Sequence, residues 1–375
     1  MSAAAAVLLA AAAAAGTLDL PSADFKVETA QTIPGPEWTQ ILLRFPSPLK
    51  SPWPANDVVW AHLIVPRFPP GRKAAVLVLP VMAAPNAWIE TRFVERFARD
   101  GFVVLWLEMP TQFHRRPDPS QPSGRVFLAR TPRQLASNFR QSVLDARRAL
   151  DVLAARPEVD GGRIALFGIS LGAIAGAAAY AVDPRPRFAV FLLGGADFPS
   201  LLSGSSMTGP FAARMGLGRD ELKAAWRGLD PLEHPRGHEG KPALLINAEW
   251  DAVIPRANAV KLLEAFPDAR QLWVPGGHYT AIIHLLWLPG WTSVVLKEAL
   301  DSRGVRPYTV RRAAELKGGI MKIFRWSAMA AAMSFWAFPT SCGGSNVDQA
   351  CAITCGPGTM NVNGVCEVGK AVKSN

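Results

Sequence analysis

Arg163-Ile-Ala-Leu-Phe-Gly-Ile-Ser-Leu-Gly172 is the most informative stretch of this chain of 375 residues. The apolar run from Ile164 to Phe167 has the length and composition of a buried β-strand. The motif Gly168-Ile-Ser-Leu-Gly172 follows directly, and the small apolar residues of 171–182 predict a helix that packs closely on a sheet. A strand, a glycine-flanked turn and a helix in immediate succession indicate an α/β protein.

Ser170, at the centre of this motif, is the candidate nucleophile. In a nucleophile elbow the serine occupies a strained turn between a strand and a helix, with its hydroxyl exposed above the sheet. Flanking glycines leave room for the tight backbone, and the helix N-terminus favours developing negative charge. A serine that merely caps the helix is the alternative, which the strand before it and the helix after it disfavour.

Strand-like and helix-like stretches alternate on both sides of the motif. Strands are predicted over residues 41–45, 58–65, 74–79, 102–107, 163–167, 188–193, 243–247 and 271–274. Helices are predicted over residues 86–100, 133–156, 171–182 and 219–226. This order implies a mostly parallel sheet with an antiparallel start and helices on both faces. Residues 197–240 interrupt the alternation, and we interpret them as a lid-like insertion.

Residues from Leu63 to Leu300 resemble the α/β-hydrolase superfamily, in particular its esterases and dienelactone-hydrolase-like members. The resemblance rests on the motif at residues 168–172 and on its strand–turn–helix setting. It implies the α/β-hydrolase fold and a serine hydrolase whose triad follows the chain order serine, acid, histidine. The partners of Ser170 are therefore expected after later strands.

Asp251 is the expected acid, because it follows the predicted strand 243–247 and precedes a hydrophobic pair and Pro255. This is the family's pattern, except that Asn247 stands where a glycine often falls. Glu249 is the alternative acid, and a surface carboxylate without a catalytic role is the other interpretation of this loop. The acid would hold the histidine in the correct tautomer.

His278 is the expected base, because it directly follows the last predicted strand in Pro275-Gly-Gly-His-Tyr279. The order serine, acid, histidine leaves one other histidine late enough in the chain, which is His284. Its apolar, helix-like surroundings are typical of a core or groove residue. His278 is therefore the preferred partner of Ser170.

The resemblance also implies an oxyanion hole with two backbone N–H donors. One donor is expected from Leu171, the residue after the nucleophile. The other is expected from the turn after the strand 74–79, where Pro80 has no N–H to donate. Val81 and Met82 are the candidates in that turn, and Met82 is the preferred one.

Each of the other side chains expected near the site has both a functional and a purely structural interpretation. His114, Arg115 and Arg116 would contact an acidic group of the substrate, or more simply anchor a loop by pairing with carboxylates. Five further side chains would line an acyl pocket or belong to the core: Trp88, Phe113, Met207, Phe211 and Trp250.

The net charge of +10 does not by itself indicate a nucleic-acid partner, because basic and acidic residues are interspersed and no basic run alternates with aromatic residues. The sequence contains no phosphate-binding loop and no His-Glu-x-x-His metal-binding motif. We therefore expect no cofactor, no metal and no nucleic acid, and a small-molecule ester or related acyl compound as substrate.

Both ends of the chain resemble targeting segments. Residues 1–18 are an alanine-rich leader-like stretch without a basic residue before Lys26, and residues 321–342 resemble a lipoprotein leader. The expected organisation is that leader, an α/β-hydrolase domain at 19–317 and an appended tail at 321–375. These segments favour the cell envelope or secretion over the cytoplasm and would allow membrane association.

All four cysteines lie in the tail, at Cys342, Cys351, Cys355 and Cys366. We interpret the tail as a small oxidised segment, because cysteines clustered in this way favour disulfides. A zinc site is the weaker interpretation, since no histidine lies near them.

A carboxylic-ester hydrolase is the function that these patterns favour. The same triad serves a peptidase or amidase. A non-catalytic binding protein of this fold is the third possibility, and the presence of Ser170, Asp251 and His278 in the expected order argues against it.

Overall fold

The computed structural model describes residues 18–20, 24–128, 131–214, 216, 218–235 and 240–301, and the backbone of 359–362 and 365–368. The chain divides into two units, Met1–Tyr308 and Thr309–Asn375. The predicted leader, apart from Leu18, lies outside the described residues. So do the lipoprotein-like segment and the tail up to residue 358.

Nine strands of the first unit form one sheet. They are β1 (Glu28–Pro34), β2 (Trp38–Pro46), β3 (Val58–Pro66), β4 (Lys73–Leu79), β5 (Val103–Leu107), β6 (Val159–Ile169), β7 (Pro186–Leu192), β8 (Ala243–Ala248) and β9 (Arg270–Val274). Their order is β1-β2-β3-β5-β4-β6-β7-β8-β9. The pairs from β1 to β5 are antiparallel, and the pairs from β5 through β4 to β9 are parallel.

Helices cover both faces of this sheet. They are α1 (Trp88–Arg99), α2 (Pro132–Ala154), α3 (Leu171–Val182), α4 (Phe198–Gly204), α5 (Gly209–Arg214), α6 (Arg219–Trp226), α7 (Arg256–Ala265) and α8 (Leu288–Asp301). The predicted fold class, a mostly parallel sheet with helices on both faces, is confirmed. Helices α4, α5 and α6 all lie in the predicted insertion between β7 and β8.

Strand β4 shows how the sheet separates two hydrophobic cores. All its residues are buried, and successive side chains of a strand point to opposite faces. Odd-numbered residues from Ala75 to Leu79 belong to the core that contains apolar residues of α2, α3 and α7. Even-numbered residues from Ala74 to Val78 belong to the core with α1 and α8. Two-sided burial explains why this strand is a continuous apolar run.

Helix α3 lies close to the sheet because it consists almost entirely of alanine and glycine. A Cβ atom on Gly176 would lie 2.9 Å from a side-chain carbon of Leu166 and 3.0 Å from one of Phe191. The small side chains therefore allow this helix to pack closer to the sheet than a helix with larger side chains could. The short distance between helix and sheet determines the position of the turn that precedes the helix.

Several elements were not predicted, among them β1, α4, α5, α7 and α8. Strand β1 lies at the edge of the sheet and is mostly exposed, so it has no apolar pattern to detect. Helix α7 places Asn258 among its buried residues, where its amide donates to the carbonyl of Ala196 at 2.9 Å. Helix α8 has Pro289 and Gly290 in its first turn, and a proline followed by a glycine in the sequence usually indicates a turn.

The loop after β5 is anchored by a buried ion pair. The Arg115 side chain is 0% exposed and donates to the Asp145 carboxylate of α2 at 2.7 Å. It also donates to the backbone carbonyls of Glu108 and Asn56, at 2.9 and 2.7 Å. A buried charge is tolerated only when it is paired and hydrogen-bonded in this way. The anchoring interpretation of Arg115 is therefore confirmed.

Glu108 anchors the same loop through two histidines. Its Oε1 lies 3.0 Å from His62 Nε2 and 2.8 Å from His114 Nδ1, and its Oε2 accepts from the backbone N–H of His114 at 3.0 Å. Burial, which raises the pKa of the Glu108 carboxyl, is outweighed by the hydrogen bonds from His114 and His62, and its pKa lies at about 2. The hydrogen bond to Glu108 raises the pKa of His114.

The second unit is described only as a two-stranded sheet. Strands β10 (Thr359–Val362) and β11 (Val365–Val368) pair in antiparallel fashion. Across the described parts of the chain, no helix is both long and apolar enough to cross a bilayer. The predicted cysteine chemistry and the predicted export of the chain stay predictions.

Replacing Glu108 by Gln is expected to destabilise the first unit by roughly 1–3 kcal/mol, most strongly between pH 4.5 and 6.5. The contribution of Glu108 is present above its ordinary pKa of 4.5 and is lost as the pH falls toward 2. The contribution of His114 is present below its ordinary pKa of 6.5 and is lost as the pH rises through its raised value.

Urea unfolding at pH 5.5 and pH 9 measures this difference. The matched control is Glu95→Gln on helix α1, because Glu95 pairs at the surface with Arg99 and surface pairs contribute little. A destabilisation by Glu108→Gln that is the same at both pH values would contradict the assignment to the His114 pair.

Candidate active site

Four predicted residues lie together at one edge of the sheet. Ser170 follows β6, Asp251 follows β8, His278 follows β9 and Met82 follows β4. These strands are parallel, so their carboxyl ends meet at the same edge, which is where α/β sheets bind ligands.

Ser170 occupies the turn between β6 and α3 with φ 53° and ψ −113°. A positive φ is costly for a residue with a side chain and persists only where the surroundings impose it. Here the N–H of Ser170 donates to the carbonyl of Leu192 at 2.9 Å, and its carbonyl accepts from the N–H of Ile174 at 3.0 Å. The strand and the helix together hold the serine in this conformation.

The two glycines of the motif are required by close backbone contacts. A Cβ atom on Gly168 would lie 2.3 Å from the carbonyl oxygen of Gly172. A Cβ atom on Gly172 would lie 2.2 Å from the carbonyl oxygen of Leu79 and 2.6 Å from that of Pro80. The start of α3 therefore lies directly against the end of β4.

A chain of hydrogen bonds connects the three polar side chains. Ser170 Oγ lies 2.9 Å from His278 Nε2, and His278 Nδ1 lies 2.8 Å from Asp251 Oδ2. The His278 and Asp251 side chains are 9% and 3% exposed. This arrangement fits the tautomer in which Nδ1 donates to the carboxylate and Nε2 accepts from the serine hydroxyl.

Backbone hydrogen bonds fix the loops that carry the acid and the histidine. Oδ1 of Asp251 accepts from the N–H groups of Val253 and Ile254, both at 2.8 Å, which leaves Oδ2 directed at His278. The N–H of Trp250 donates to the carbonyl of Gly276 at 2.9 Å. The acid loop and the histidine loop are therefore joined. Glu249, the alternative acid, is exposed.

The oxyanion candidates differ in their hydrogen bonds. Leu171 is the first residue of α3, where a backbone N–H has no partner within the helix. The N–H of Val81 donates to the carboxylate of Glu90 at 2.9 Å. This bond occupies Val81 and leaves Met82 as the second candidate donor in the turn after β4.

Two cavities meet at Ser170. The smaller has a volume of about 80 Å³ and the larger about 480 Å³. Ser170, Met82 and Met207 line both. No Asp, Glu, Lys or Arg lines either cavity among the described residues, and no cluster of three or more potential metal ligands occurs there.

Most residues proposed for the acyl pocket lie elsewhere. Met207 lines both cavities, but Phe113 packs on Trp106, with ring centroids 5.6 Å apart. Trp88 and Trp250 are 48% and 70% exposed. Phe211 packs against the core on the α2 side and lines neither cavity.

The remaining candidates have structural roles. Nε2 of His284 donates to the carbonyl of Pro275 at 2.8 Å, and its Nδ1 accepts from the indole of Trp287 at 3.1 Å. His284 is buried, as expected of a core residue. Arg116 contacts the carbonyls of Phe113 and Gln121 rather than a carboxylate.

Sequence reasoning missed Glu90 and Gln112, which contact the turn after β4. A signal for Glu90 was present, because it shares a helical face with Phe93, Val94 and Phe97. An acidic residue on an apolar face is buried at a cost and commonly has a specific partner. Gln112 lies in an irregular loop and has no comparable signal.

Similar solved structures have the same fold at low sequence identity. An acetyl xylan esterase from Paenibacillus sp. R4 is 18% identical, with a TM-score of 0.57 over 78% of this chain and 92% of that chain. A glucuronoyl esterase from Solibacter usitatus is 15% identical, with a TM-score of 0.53 over 76% and 88%. The acylaminoacyl peptidase of Pyrococcus horikoshii is 17% identical, with a TM-score of 0.54 over 72% and 43%.

These likenesses identify the chain as a protein of the α/β-hydrolase fold. No protein-family model matches the sequence, and no curated protein matches it either. Since esterases and a peptidase share this architecture, the fold alone does not select the reaction.

Replacing Gly172 by Ala is expected to destabilise the protein by roughly 1–3 kcal/mol, because the methyl group would overlap the Leu79 carbonyl. Thermal unfolding measures the effect as a loss of several degrees in Tm. The matched control is Gly161→Ala, whose added methyl would have its nearest neighbour, the Ala154 carbonyl, at 4.0 Å. An unchanged Tm in Gly172→Ala would show that the contact between α3 and β4 is not tight.

Proposed function

We propose that the protein is a serine hydrolase that cleaves carboxylic esters through Ser170, His278 and Asp251. The observation that carries the proposal is the continuous hydrogen-bonded relay, 2.9 Å from Ser170 Oγ to His278 Nε2 and 2.8 Å from His278 Nδ1 to Asp251 Oδ2. Its location on a strained turn between a strand and a helix supports the same assignment.

In the proposed acylation step, His278 Nε2 takes the proton of Ser170 as the serine oxygen attacks the carbonyl carbon of the ester. The negative charge that develops on the carbonyl oxygen is stabilised by the N–H groups of Leu171 and Met82. Asp251 holds His278 in the correct tautomer and stabilises its cation. His278 then protonates the alcohol oxygen, the ester bond breaks and the acyl group stays on Ser170.

Deacylation repeats these roles with water. His278 Nε2 removes a proton from a water molecule, which attacks the acyl carbon, and then returns the proton to Ser170 Oγ. The products are a carboxylic acid and the free serine. The scheme uses the described side chains and two backbone N–H groups.

An amide or peptide substrate is the second candidate, because the same relay serves both bond types. The apolar cavities favour esters over peptides, since no described side chain that lines them would bind the charge of a peptide terminus. The complete relay disfavours a non-catalytic binding role.

Ser170→Ala is expected to lower kcat/KM for p-nitrophenyl esters by at least about 10³-fold, because the covalent step is lost. The series from acetate to palmitate measures both the activity and the preferred acyl length. A fluorophosphonate probe should label the wild type and not the variant. The matched control is Ser203→Ala, whose hydroxyl is exposed and contacts only its own helix.

The outcomes separate the candidates. Retained hydrolysis or labelling in Ser170→Ala would exclude Ser170 as the nucleophile. A folded wild type that cleaves a p-nitroanilide but no ester would favour the amidase. A wild type that cleaves neither and is not labelled would favour the non-catalytic role.

A further inference from the structure

The two cavities at Ser170 differ in size and in exposure. The smaller, of about 80 Å³, has no exposed residue among those that line it. The larger, of about 480 Å³, includes the exposed residues Tyr279 and Ile282 in its wall and reaches the surface there. The residues that line the smaller cavity are all buried or half-buried, whereas part of the wall of the larger cavity is exposed.

The position of His278 indicates which cavity would hold the alcohol half of an ester and which would hold the acyl half. His278 must protonate the leaving oxygen, so the alcohol half has to lie on the side of Ser170 where His278 is found. His278 lines the larger cavity and not the smaller one. Leu171, whose N–H is a proposed oxyanion donor, lines the smaller cavity and not the larger one. The acyl half is therefore directed to the smaller cavity.

Volume limits the acyl group that the smaller cavity accepts. An apolar cavity of about 150 Å³ holds a benzene molecule, which has six carbon atoms. A volume of about 80 Å³ therefore suits an acyl group of two to four carbons. The larger cavity falls within the range of typical ligand pockets, about 300–1,000 Å³.

The chemistry of the walls limits the polarity of both halves. Apart from Ser170, the polar groups of the residues that line the smaller cavity are the hydroxyls of Ser205 and Thr208, which form hydrogen bonds with nearby backbone groups, and the buried indole N–H of Trp226. Those of the larger cavity are His278 and Tyr279. A charged substrate group would lose its hydration there without gaining an ion pair with an Asp, Glu, Lys or Arg side chain of the described walls.

We propose that the substrate is an uncharged ester of a short acyl group with a long or bulky apolar alcohol. This inference rests on the proposed function and goes beyond it by assigning each half of the ester to one cavity. The open end of the larger cavity lets a long alcohol extend past Ile282 toward solvent.

Two isomeric esters test the assignment, because they have the same atoms and differ only in which half is long. Octyl acetate is expected to be cleaved with a kcat/KM at least about tenfold higher than that of ethyl octanoate, since an octanoyl group exceeds the smaller cavity. Titration of the released acid measures both reactions. Equal rates, or a preference for ethyl octanoate, would overturn the assignment.

A pair of neighbouring variants provides the matched control. Ile282 lines the larger cavity and is 47% exposed, whereas Ile283 is 50% exposed and does not line it. Ile282→Asp is expected to lower kcat/KM for octyl acetate several-fold relative to ethyl acetate, and Ile283→Asp to leave that ratio unchanged. Equal effects of the two variants would contradict the location of the alcohol half.

Failure of this inference is distinct from failure of the proposed function. Ser170-dependent cleavage of p-nitrophenyl acetate together with a preference for ethyl octanoate would preserve the hydrolase and reverse the cavities. Absence of cleavage of every ester would reject both.

A second observation concerns the turn after β4, which is held from two sides. The amide of Gln112 donates to the carbonyl of Val81 at 2.6 Å, and the carboxylate of Glu90 accepts from the N–H of Val81 at 2.9 Å. Gln112 and Glu90 are each 1% exposed. Both peptide units that flank Val81 are therefore anchored by buried side chains.

The bond from Gln112 determines the direction of the Met82 N–H. The carbonyl of Val81 and the N–H of Met82 belong to one planar trans peptide, in which the two groups point in opposite directions. Fixing the carbonyl toward Gln112 therefore fixes the N–H of Met82 away from it. A hydrogen bond to the carbonyl also polarises the peptide and strengthens its N–H as a donor.

We further infer that Gln112 and Glu90 are positioning residues that aim the Met82 N–H at the oxyanion. They act through the backbone of Val81 and do not contact the substrate. This inference also rests on the proposed function, because it assigns a role in stabilising the oxyanion of that reaction.

Gln112→Leu is expected to lower kcat for p-nitrophenyl acetate by about 10–10²-fold with little change in KM. The expected decrease is smaller than the decrease of about 10²–10³-fold in kcat that follows complete loss of an oxyanion donor, because the Met82 N–H is misdirected and not removed. The affinity for an alkyl boronic acid, which forms a tetrahedral adduct with the serine, should fall by a similar factor. Gln134→Leu is the control, because Gln134 bonds within α2 and does not contact this turn.

Glu90 supplies a second test that does not depend on the folding of the Gln112 variant. Glu90→Gln keeps an acceptor for the Val81 N–H and is expected to retain most of the activity, whereas Glu90→Leu is expected to lose kcat. Unchanged kcat and boronate affinity in folded Gln112→Leu, or equal activity of the two Glu90 variants, would overturn the inference while leaving Ser170-dependent hydrolysis intact.

Discussion

The contact between the first turn of α3 and the end of β4 is the constraint on which the rest of the site depends. Gly172 leaves no space for a Cβ atom beside the carbonyls of Leu79 and Pro80, so the helix start and the following turn are held in direct contact. This contact brings the turn that carries Met82 close to Ser170 and Leu171, and all three residues line the smaller cavity. The strained serine conformation and the two proposed donors therefore follow from one close backbone approach, which small residues along α3 make possible.

Much of this arrangement could be predicted from the sequence, because its determinants are local. The apolar run of β6, the glycines at 168 and 172 and the small residues of α3 predict the turn. The chain order that the resemblance to α/β-hydrolases implies indicates which acid and which histidine follow. Strand β1 could not be predicted, since an exposed edge strand carries no apolar alternation. The cavities could not be predicted either, because residues distant in the sequence line them and Phe113 and Trp250 pack elsewhere.

The charged residues of the described chain stabilise the fold and stay out of the cavities. Arg115 and Glu108 follow β5 at the same edge as the relay. Arg115 contacts Asp145 of α2, and Glu108 contacts His62 of β3 and His114 of the loop. Removal of one partner of such a buried pair destabilises the fold, because the other partner is left as an unpaired buried charge. The result is an apolar environment around Ser170, in which the relay and the proposed donors act with little screening by water.

The insertion between β7 and β8 contributes to the smaller cavity through Phe198, Met207 and Trp226, among others, but to none of the relay. The insertion therefore supplies part of the wall of the cavity proposed for the acyl group, whereas Ser170, Asp251 and His278 lie outside the insertion. Such a division makes the insertion a module for evolution and for engineering. Exchange of its helices would change the wall of the cavity proposed for the acyl group and would leave the hydrogen-bonded relay at the sheet edge unchanged.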